Sequence, residues 1–211
     1  MRLQEYINEN EGKIIETLQK ECKPFLREIR NCTSRYLIRG KKTEISTFRK
    51  IKRRKDRKPM SMAPKYMEFL DNVFEKVFGW RPRTTGVFAE FSKTIKSGYG
   101  EPYFIFPIGK FRYIYSNDVE DLFLDDFIKA PVTWHPWKNE IVFNDKIVSR
   151  MYSSQELEDM SKEEVMEDWI KNAFKNKNLC KAKNGYEIMF DCDQYYLVNP
   201  KYYETLQQEL W

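Results

Sequence analysis

The segment Tyr186-Glu-Ile-Met-Phe-Asp-Cys-Asp-Gln-Tyr-Tyr-Leu-Val198 decides the fold class of this chain. Its first five and last five residues are rich in aromatic and β-branched side chains, which is typical of strands. The short connection Asp191-Cys-Asp193 between them predicts a β-hairpin. Glu187 is unusual here, because a charged side chain stands in a run that otherwise resembles a buried strand.

Upstream of this segment, helices come first and strands follow. Apolar residues with a period near 3.6 and terminal Pro, Gly or Ser-x-x-Glu signals predict helices at 3–30 (in two parts), 64–79, 117–128, 153 onward, 161–174 and 200–211. Aromatic and β-branched runs predict strands at 35–40, 86–92, 102–107, 111–115 and 140–143. Because strands and helices do not alternate, the sequence predicts the α+β class.

Length and composition predict one folded domain. The 211 residues are enough for a single core, with a helical part at 1–34, a central part at 35–198 and a terminal helix at 199–211. A hydrophobic fraction of 41% with 16% aromatics excludes a disordered chain. No run resembles a membrane span or a signal peptide, so we expect a cytoplasmic protein without a membrane partner.

The cysteines and the histidine give no metal signature. No Cys-x-x-Cys pair occurs, and a single histidine does not complete a Cys/His zinc set. We therefore expect no metal, and reduced thiols at Cys22, Cys32, Cys180 and Cys192.

Positive charge concentrates in residues 49–58, where eight basic residues accompany one aspartate, although the whole chain has a net charge of only +5. Such a run attracts polyanions, and we expect Lys52, Arg53, Arg54 and Lys55 to bind nucleic acid. The alternative is a solvated loop without a ligand.

Two charged residues stand on predicted strands. Alternation puts Arg39 on the same face as Leu37, and Glu187 on the same face as Met189. A charge beside an apolar neighbour is costly unless it has a partner or lines a cleft. On spacing alone, a structural ion pair between the two strands is the favoured explanation.

The sequence around these residues resembles the ADP-ribosyltransferase toxin superfamily. The motifs are Tyr36-Leu-Ile-Arg39-Gly40, Gly86-Val-Phe-Ala-Glu-Phe-Ser92 and Tyr186-Glu187-Ile188-Met189, in that order. They resemble the family's strand-ending Arg-Gly, its small-hydroxyl strand and its late catalytic Glu. Linking segments such as Phe78-Gly79-Trp-Arg81-Pro-Arg83 resemble members from phages and anti-phage systems. The resemblance covers roughly residues 35 to 198.

This resemblance implies a fold, a substrate and a set of site residues. It implies split antiparallel sheets around a cleft for NAD, which is the substrate, with Glu187 and Arg39 as catalytic residues. The NAD-binding residues that it implies are Arg39, Gly40, Arg57, Arg83, Phe88, Ser92 and Tyr99. The hypothesis requires that the guanidinium of Arg39 and the carboxylate of Glu187 flank one crevice.

The resemblance also implies partners. Similar toxins modify mRNA in toxin–antitoxin–chaperone systems, so we expect an RNA acceptor, an antitoxin protein and a possible role for a chaperone. The chain departs from the family in two places: only Ser92 remains of the hydroxyl strand, and Gly185 stands where protein-modifying members carry Gln or Glu. The loop 175–184, with four lysines, suits a polyanionic acceptor. A protein acceptor, or a non-catalytic nucleic-acid-binding protein, are the alternatives.

Overall fold

The α+β prediction is confirmed, with helices at the start of the chain and an antiparallel sheet at its centre. The computed structural model describes residues 3–32, 37–56, 62–92, 100–121 and 129–210, with side chains from residue 11 onward. The helices are α1 (Leu3–Glu21), α2 (Lys23–Ile29), α3 (Pro64–Phe78), α4 (Pro82–Thr85), α5 (Asp145–Met151), α6 (Ser154–Glu158), α7 (Lys162–Ala173) and α8 (Tyr203–Leu210). The strands are β1 (Leu37–Lys41), β2 (Phe48–Lys52), β3 (Val87–Phe91), β4 (Glu101–Pro107), β5 (Arg112–Ser116), β6 (Val132–His135), β7 (Glu140–Phe143), β8 (Phe174–Lys175), β9 (Glu187–Asp191) and β10 (Gln194–Val198).

Eight strands form one sheet in the order β2-β10-β4-β1-β3-β9-β5-β8, and β6 and β7 form a separate ribbon. All the ladders in the large sheet are antiparallel. The ladder between β1 and β3 is short, with Leu37 opposite Phe91 and Ile38 opposite Glu90. This narrow junction separates a half made of β2, β10, β4 and β1 from a half made of β3, β9, β5 and β8.

The predicted hairpin across Asp191-Cys-Asp193 is wrong. β9 pairs with β3 and β5, whereas β10 pairs with β2 and β4, so the two strands lie in different halves of the sheet. Arg53 binds this connection: its backbone N–H donates to the Asp193 carbonyl, and its guanidinium forms ion pairs with Asp191 and Asp193. The short connection is therefore a crossover, stabilised by a residue almost 140 positions away.

Two hydrophobic clusters cover the sheet. Leu18 and Phe25, from α1 and α2, belong to the first cluster, which includes residues of both halves. The second cluster packs α3 and α7 against the half that contains β9, and Phe74, Phe174 and Met189 are among its buried members. The Phe74 and Phe174 rings meet edge to face, with their centroids 5.1 Å apart. Helices α3 and α7 therefore form a packed core with the half of the sheet that contains β9.

Local helix signals are mostly confirmed. Gly79 ends α3 with a left-handed φ of 74°, and Ser153 and Ser161 each form a capping box. A helix was predicted at 117–128, but residues 117–121 are not helical, and residues 122–128 lie outside the described part of the chain. The Asn117 side chain binds backbone groups of Lys181 and Lys183 rather than capping a helix.

Three strands were not predicted: the two edge strands of the large sheet, β2 and β8, and β6 of the separate ribbon. β2 overlaps the start of the basic run, and β8 comprises only two residues after α7. Charged side chains are common on sheet edges because they oppose pairing with other chains, but they also hide such strands from a search for apolar alternation.

The prediction of four reduced thiols is wrong for one pair. Cys32, just after α2, forms a disulfide with Cys180, which lies 148 positions later. Cys22 and Cys192 are free and buried. Sequence spacing does not reveal this disulfide, because it depends on the packing of α2 against the loop before β9.

The thiols give a direct test of this arrangement. A thiol reagent at about pH 8 is expected to modify neither Cys22 nor Cys192 in the native protein, because burial raises the pKa of each thiol to about 12. Unfolding should expose these two thiols, and reduction should expose Cys32 and Cys180 as well. Modification of all the cysteines in unfolded protein without a reductant would contradict the disulfide.

Candidate active site at the start of strand β9

Glu187 is the first residue of β9 and lies directly opposite Glu90 of β3. Its backbone N–H donates to the Glu120 carbonyl at 2.9 Å. Its side chain is 21% exposed, and Oε1 accepts a hydrogen bond from Nη1 of Arg83 at 3.1 Å. The site therefore contains a partly exposed carboxylate held by an arginine.

Arg83 is the buried partner in this ion pair. Its side chain is 6% exposed, and its guanidinium carbon lies 5.1 Å from the centroid of the Phe88 ring. Its Nε has no hydrogen-bond partner among the described residues. A buried cation is costly without a counter-ion, so Glu187 stabilises Arg83 as much as Arg83 orients Glu187.

Asp71 fixes the position of the helix that carries Arg83. This carboxylate is fully buried on α3 and accepts hydrogen bonds from the backbone N–H groups of Arg83 and Thr84 and from the Thr84 hydroxyl. Burial raises its pKa, although the three hydrogen bonds act in the opposite direction. Asp71 therefore anchors the first turn of α4 and, through it, the guanidinium at Glu187.

Arg39 lies on β1, two strands away from Glu187 in the sheet. Ile38, Glu90 and Glu187 are direct partners across β1, β3 and β9, so their side chains share one face. Arg39 is the next residue after Ile38 and leaves its strand on the other face. Its Nη1 donates to the Phe88 carbonyl at 2.7 Å, and its guanidinium lies 5.7 Å from the Tyr195 ring centroid.

The structure thus brings the strands of Arg39 and Glu187 together, but it pairs the carboxylate with a different arginine. Both arginines contact Phe88, Arg39 through the carbonyl and Arg83 through the ring. Arg83 was predicted as an NAD-binding residue, but its ion pair with Glu187 was not predicted. A crevice shared by Arg39 and Glu187 stays a prediction.

The other predicted NAD-binding residues lie in several places. Gly40 follows Arg39 on β1 and is opposite Pro102, and Ser92 follows the end of β3 in a half-buried position. Tyr99 and Arg57 lie outside the described residues.

The basic run lies at the other end of β9 from Glu187. Arg53, 14% exposed, is held by Asp191 at the last residue of β9, about 13 Å along the strand from Glu187 at about 3.3 Å per residue. Lys50 pairs with Glu21, and Arg54 pairs with Asp56. The predicted nucleic-acid-binding residues therefore differ in surroundings: Arg53 is tied into the fold, whereas Lys52 and Lys55 are exposed.

One signal of this site was present in the sequence. Met67, Phe74 and Phe78 follow the helical period of α3, and Asp71 occupies a position in the same stripe. A carboxylate in an apolar stripe requires partners, and here they are the first backbone N–H groups of α4. The sequence signal shows that Asp71 needs a partner, but only the fold identifies which one.

No protein-family model, curated protein or solved structure matches this chain. Within residues 3–32, 37–56, 62–92, 100–121 and 129–210, no cluster of His, Cys, Asp and Glu side chains has the arrangement of a metal site. The helices in that same part of the chain are all too short or too polar to cross a bilayer.

Proposed function

We propose that this protein is an NAD-dependent ADP-ribosyltransferase with an ADP-ribosyltransferase-like fold, and that it transfers ADP-ribose to nucleic acid, with RNA favoured. The observation that carries the proposal is the order β1, β3, β9, because the strands that bear the three family-like motifs are immediate neighbours. The short ladder between β1 and β3 supports a sheet that splits at this point.

The chemistry requires an anion beside the ribose of NAD. The bond between ribose C1′ and the nicotinamide nitrogen breaks, its electron pair leaves with nicotinamide, and an oxocarbenium-like ribose develops. The Glu187 carboxylate stabilises this cation and accepts hydrogen bonds from the ribose hydroxyls. An oxygen or nitrogen of the acceptor then bonds to C1′ and gives up its proton to solvent water.

The two arginines have separate roles in this proposal. Arg83 orients Glu187 from a buried position, which keeps the carboxylate in place. Arg39 binds the NAD phosphates, for which its guanidinium must leave the Phe88 carbonyl. Gly40, Phe88 and Ser92 complete the proposed NAD-binding surface. An antitoxin protein that blocks this surface, with a chaperone, belongs to the same proposal.

Separate reactions of the protein with labelled NAD and with RNA, DNA or a protein lysate test this function. We expect label in the RNA and free nicotinamide in solution. Label in the protein fraction alone would identify a protein acceptor instead. Intact NAD in every reaction, including with a large excess of protein, would contradict the transferase.

A non-catalytic nucleic-acid-binding protein is the second candidate. It is favoured by the ion pair between Arg83 and Glu187 and by the opposite faces on which Arg39 and Glu187 leave their strands. This candidate predicts salt-dependent binding of nucleic acid without release of nicotinamide.

A further inference from the structure

A cavity of about 470 Å³, open to solvent, lies beside the loop that precedes β9. Its lining combines positive charge, amides and apolar groups: Val77, Phe78, Tyr115, Lys171, Phe174, Lys175, Asn176, Lys177, Asn178 and Lys181. No Asp or Glu of the described residues lines it. Its volume falls within the range of about 300–1,000 Å³ that is typical of small-ligand sites.

The charge in this cavity is mostly uncompensated. Lys171 pairs with Glu167 at 2.8 Å, whereas Lys175, Lys177 and Lys181 are exposed and form no ion pair within the described part of the chain. In the described part of the basic run, Lys50, Arg53 and Arg54 have acidic partners, whereas Arg49, Lys52 and Lys55 are exposed and form no ion pair. Three lysine side chains that line one concavity create a stronger local attraction for an anion than the same charges on a convex surface.

The backbone of the loop is fixed before any ligand binds. The Tyr115 hydroxyl bonds to the carbonyls of Lys177 and Asn178, each at 3.1 Å. The disulfide holds Cys180 against α2, and Asn117 holds the backbone of Lys181. Asn178 itself has a left-handed φ of 58°, which is uncommon outside glycine. A preorganised loop loses little entropy on binding.

We propose that this cavity, rather than the basic run, binds the nucleic acid, and that it takes a single strand with one base inside the cavity. Lysines bind phosphates as point charges, apolar walls accept the face of a base, and Asn amides bind base edges. The cavity has all three, with Val77 and Phe78 on its apolar side and Asn176 among its polar groups. A duplex keeps its bases stacked inside and has none to insert.

The position of the cavity fits an acceptor site, although this part of the argument rests on the proposed function. Ile188, Tyr115 and Lys175 are partners in one row across β9, β5 and β8. Two strand spacings separate Ile188 from Lys175, which is roughly 10 Å. The side chains of this row leave the sheet on the face opposite to Glu187, which precedes Ile188, so a strand bound at the lysines reaches Glu187 around the β8 edge of the sheet.

Fluorescence anisotropy with labelled single-stranded RNA of about 12 nucleotides, without NAD, tests the assignment. The variant is Lys175→Gln/Lys177→Gln, and the matched control is Lys52→Gln/Lys55→Gln, which removes the same charge from exposed sites in the basic run. Two lost phosphate contacts should make the slope of the logarithm of the binding constant against the logarithm of salt concentration less steep by about 1.4. The affinity should fall by roughly 50-fold at about 50 mM salt. The control should change affinity by less than about threefold, since its lysines lie outside the cavity.

Several outcomes would overturn the assignment. Equal losses in both variants would indicate general attraction, and a loss in the control alone would assign binding to the basic run. Tighter binding of an RNA duplex than of the single strand would exclude base insertion. Because NAD is absent, a protein that binds RNA as expected but never releases nicotinamide retains this site and loses only the proposed enzymatic function.

Discussion

Glu187→Gln is expected to reduce NAD cleavage by about 10³-fold, because the neutral amide no longer stabilises the cationic ribose. Nicotinamide release measured at saturating NAD checks this result. The substitution preserves shape and leaves Oε1 as an acceptor for Arg83. It does remove the counter-ion of a buried guanidinium, so thermal unfolding of the variant must be measured alongside.

Glu101→Gln is the matched control for this variant. Glu101 is an exposed carboxylate on β4, opposite Lys41, and the change is chemically identical. It should leave the rate of nicotinamide release unchanged within about twofold, as surface substitutions have small effects. If Glu187→Gln retains the rate while remaining folded, Glu187 has no catalytic role.

Arg53→Met is expected to lower the free energy of unfolding by about 2 kcal/mol, which corresponds to roughly 4–8 °C in Tm for a chain of this size. Asp191 and Arg53 are only 17% and 14% exposed, and removal of the guanidinium costs Asp191 one of its two arginine partners, because Arg112 Nε remains 2.6 Å from Oδ2. The variant also loses the contact to Asp193 that fixes the crossover from β9 to β10. Urea unfolding provides the measurement.

The neighbouring arginine gives the control. Arg54 pairs with Asp56, but both side chains are about three-quarters exposed or more, at 75% and 82%. Solvent screens such a pair, so Arg54→Met should change the free energy of unfolding by less than about 0.5 kcal/mol. Similar losses in the two variants would mean that the basic run acts through its total charge rather than through the crossover.

The basic run 49–58 and the lysine-rich loop 175–184 were both predicted to bind a polyanion, and the structure gives their residues different surroundings. The basic run was expected to be a single polyanion-binding segment, yet Arg53 binds Asp191 and stabilises the sheet. The lysine-rich loop was expected to bind an acceptor, and it does line a cavity, together with Lys171 of α7. Lys183 instead donates to the Asn117 carbonyl. Charge along a sequence does not distinguish these roles, because acidic partners come from distant segments.

The sequence by itself determined the α+β class, the two N-terminal helices, the bounds of β10 and the capping boxes at Ser153 and Ser161. These features depend on side chains within a few residues of one another, through periodicity and local hydrogen bonds.

The tertiary structure alone decided the crossover between β9 and β10, the disulfide from Cys32 to Cys180, and the choice of Arg83 as the partner of Glu187. Each of these contacts joins residues about 100 or more positions apart or depends on such a contact. Their energies come from burying charge and apolar surface together, and this burial exists only after the halves of the sheet and the helices have packed.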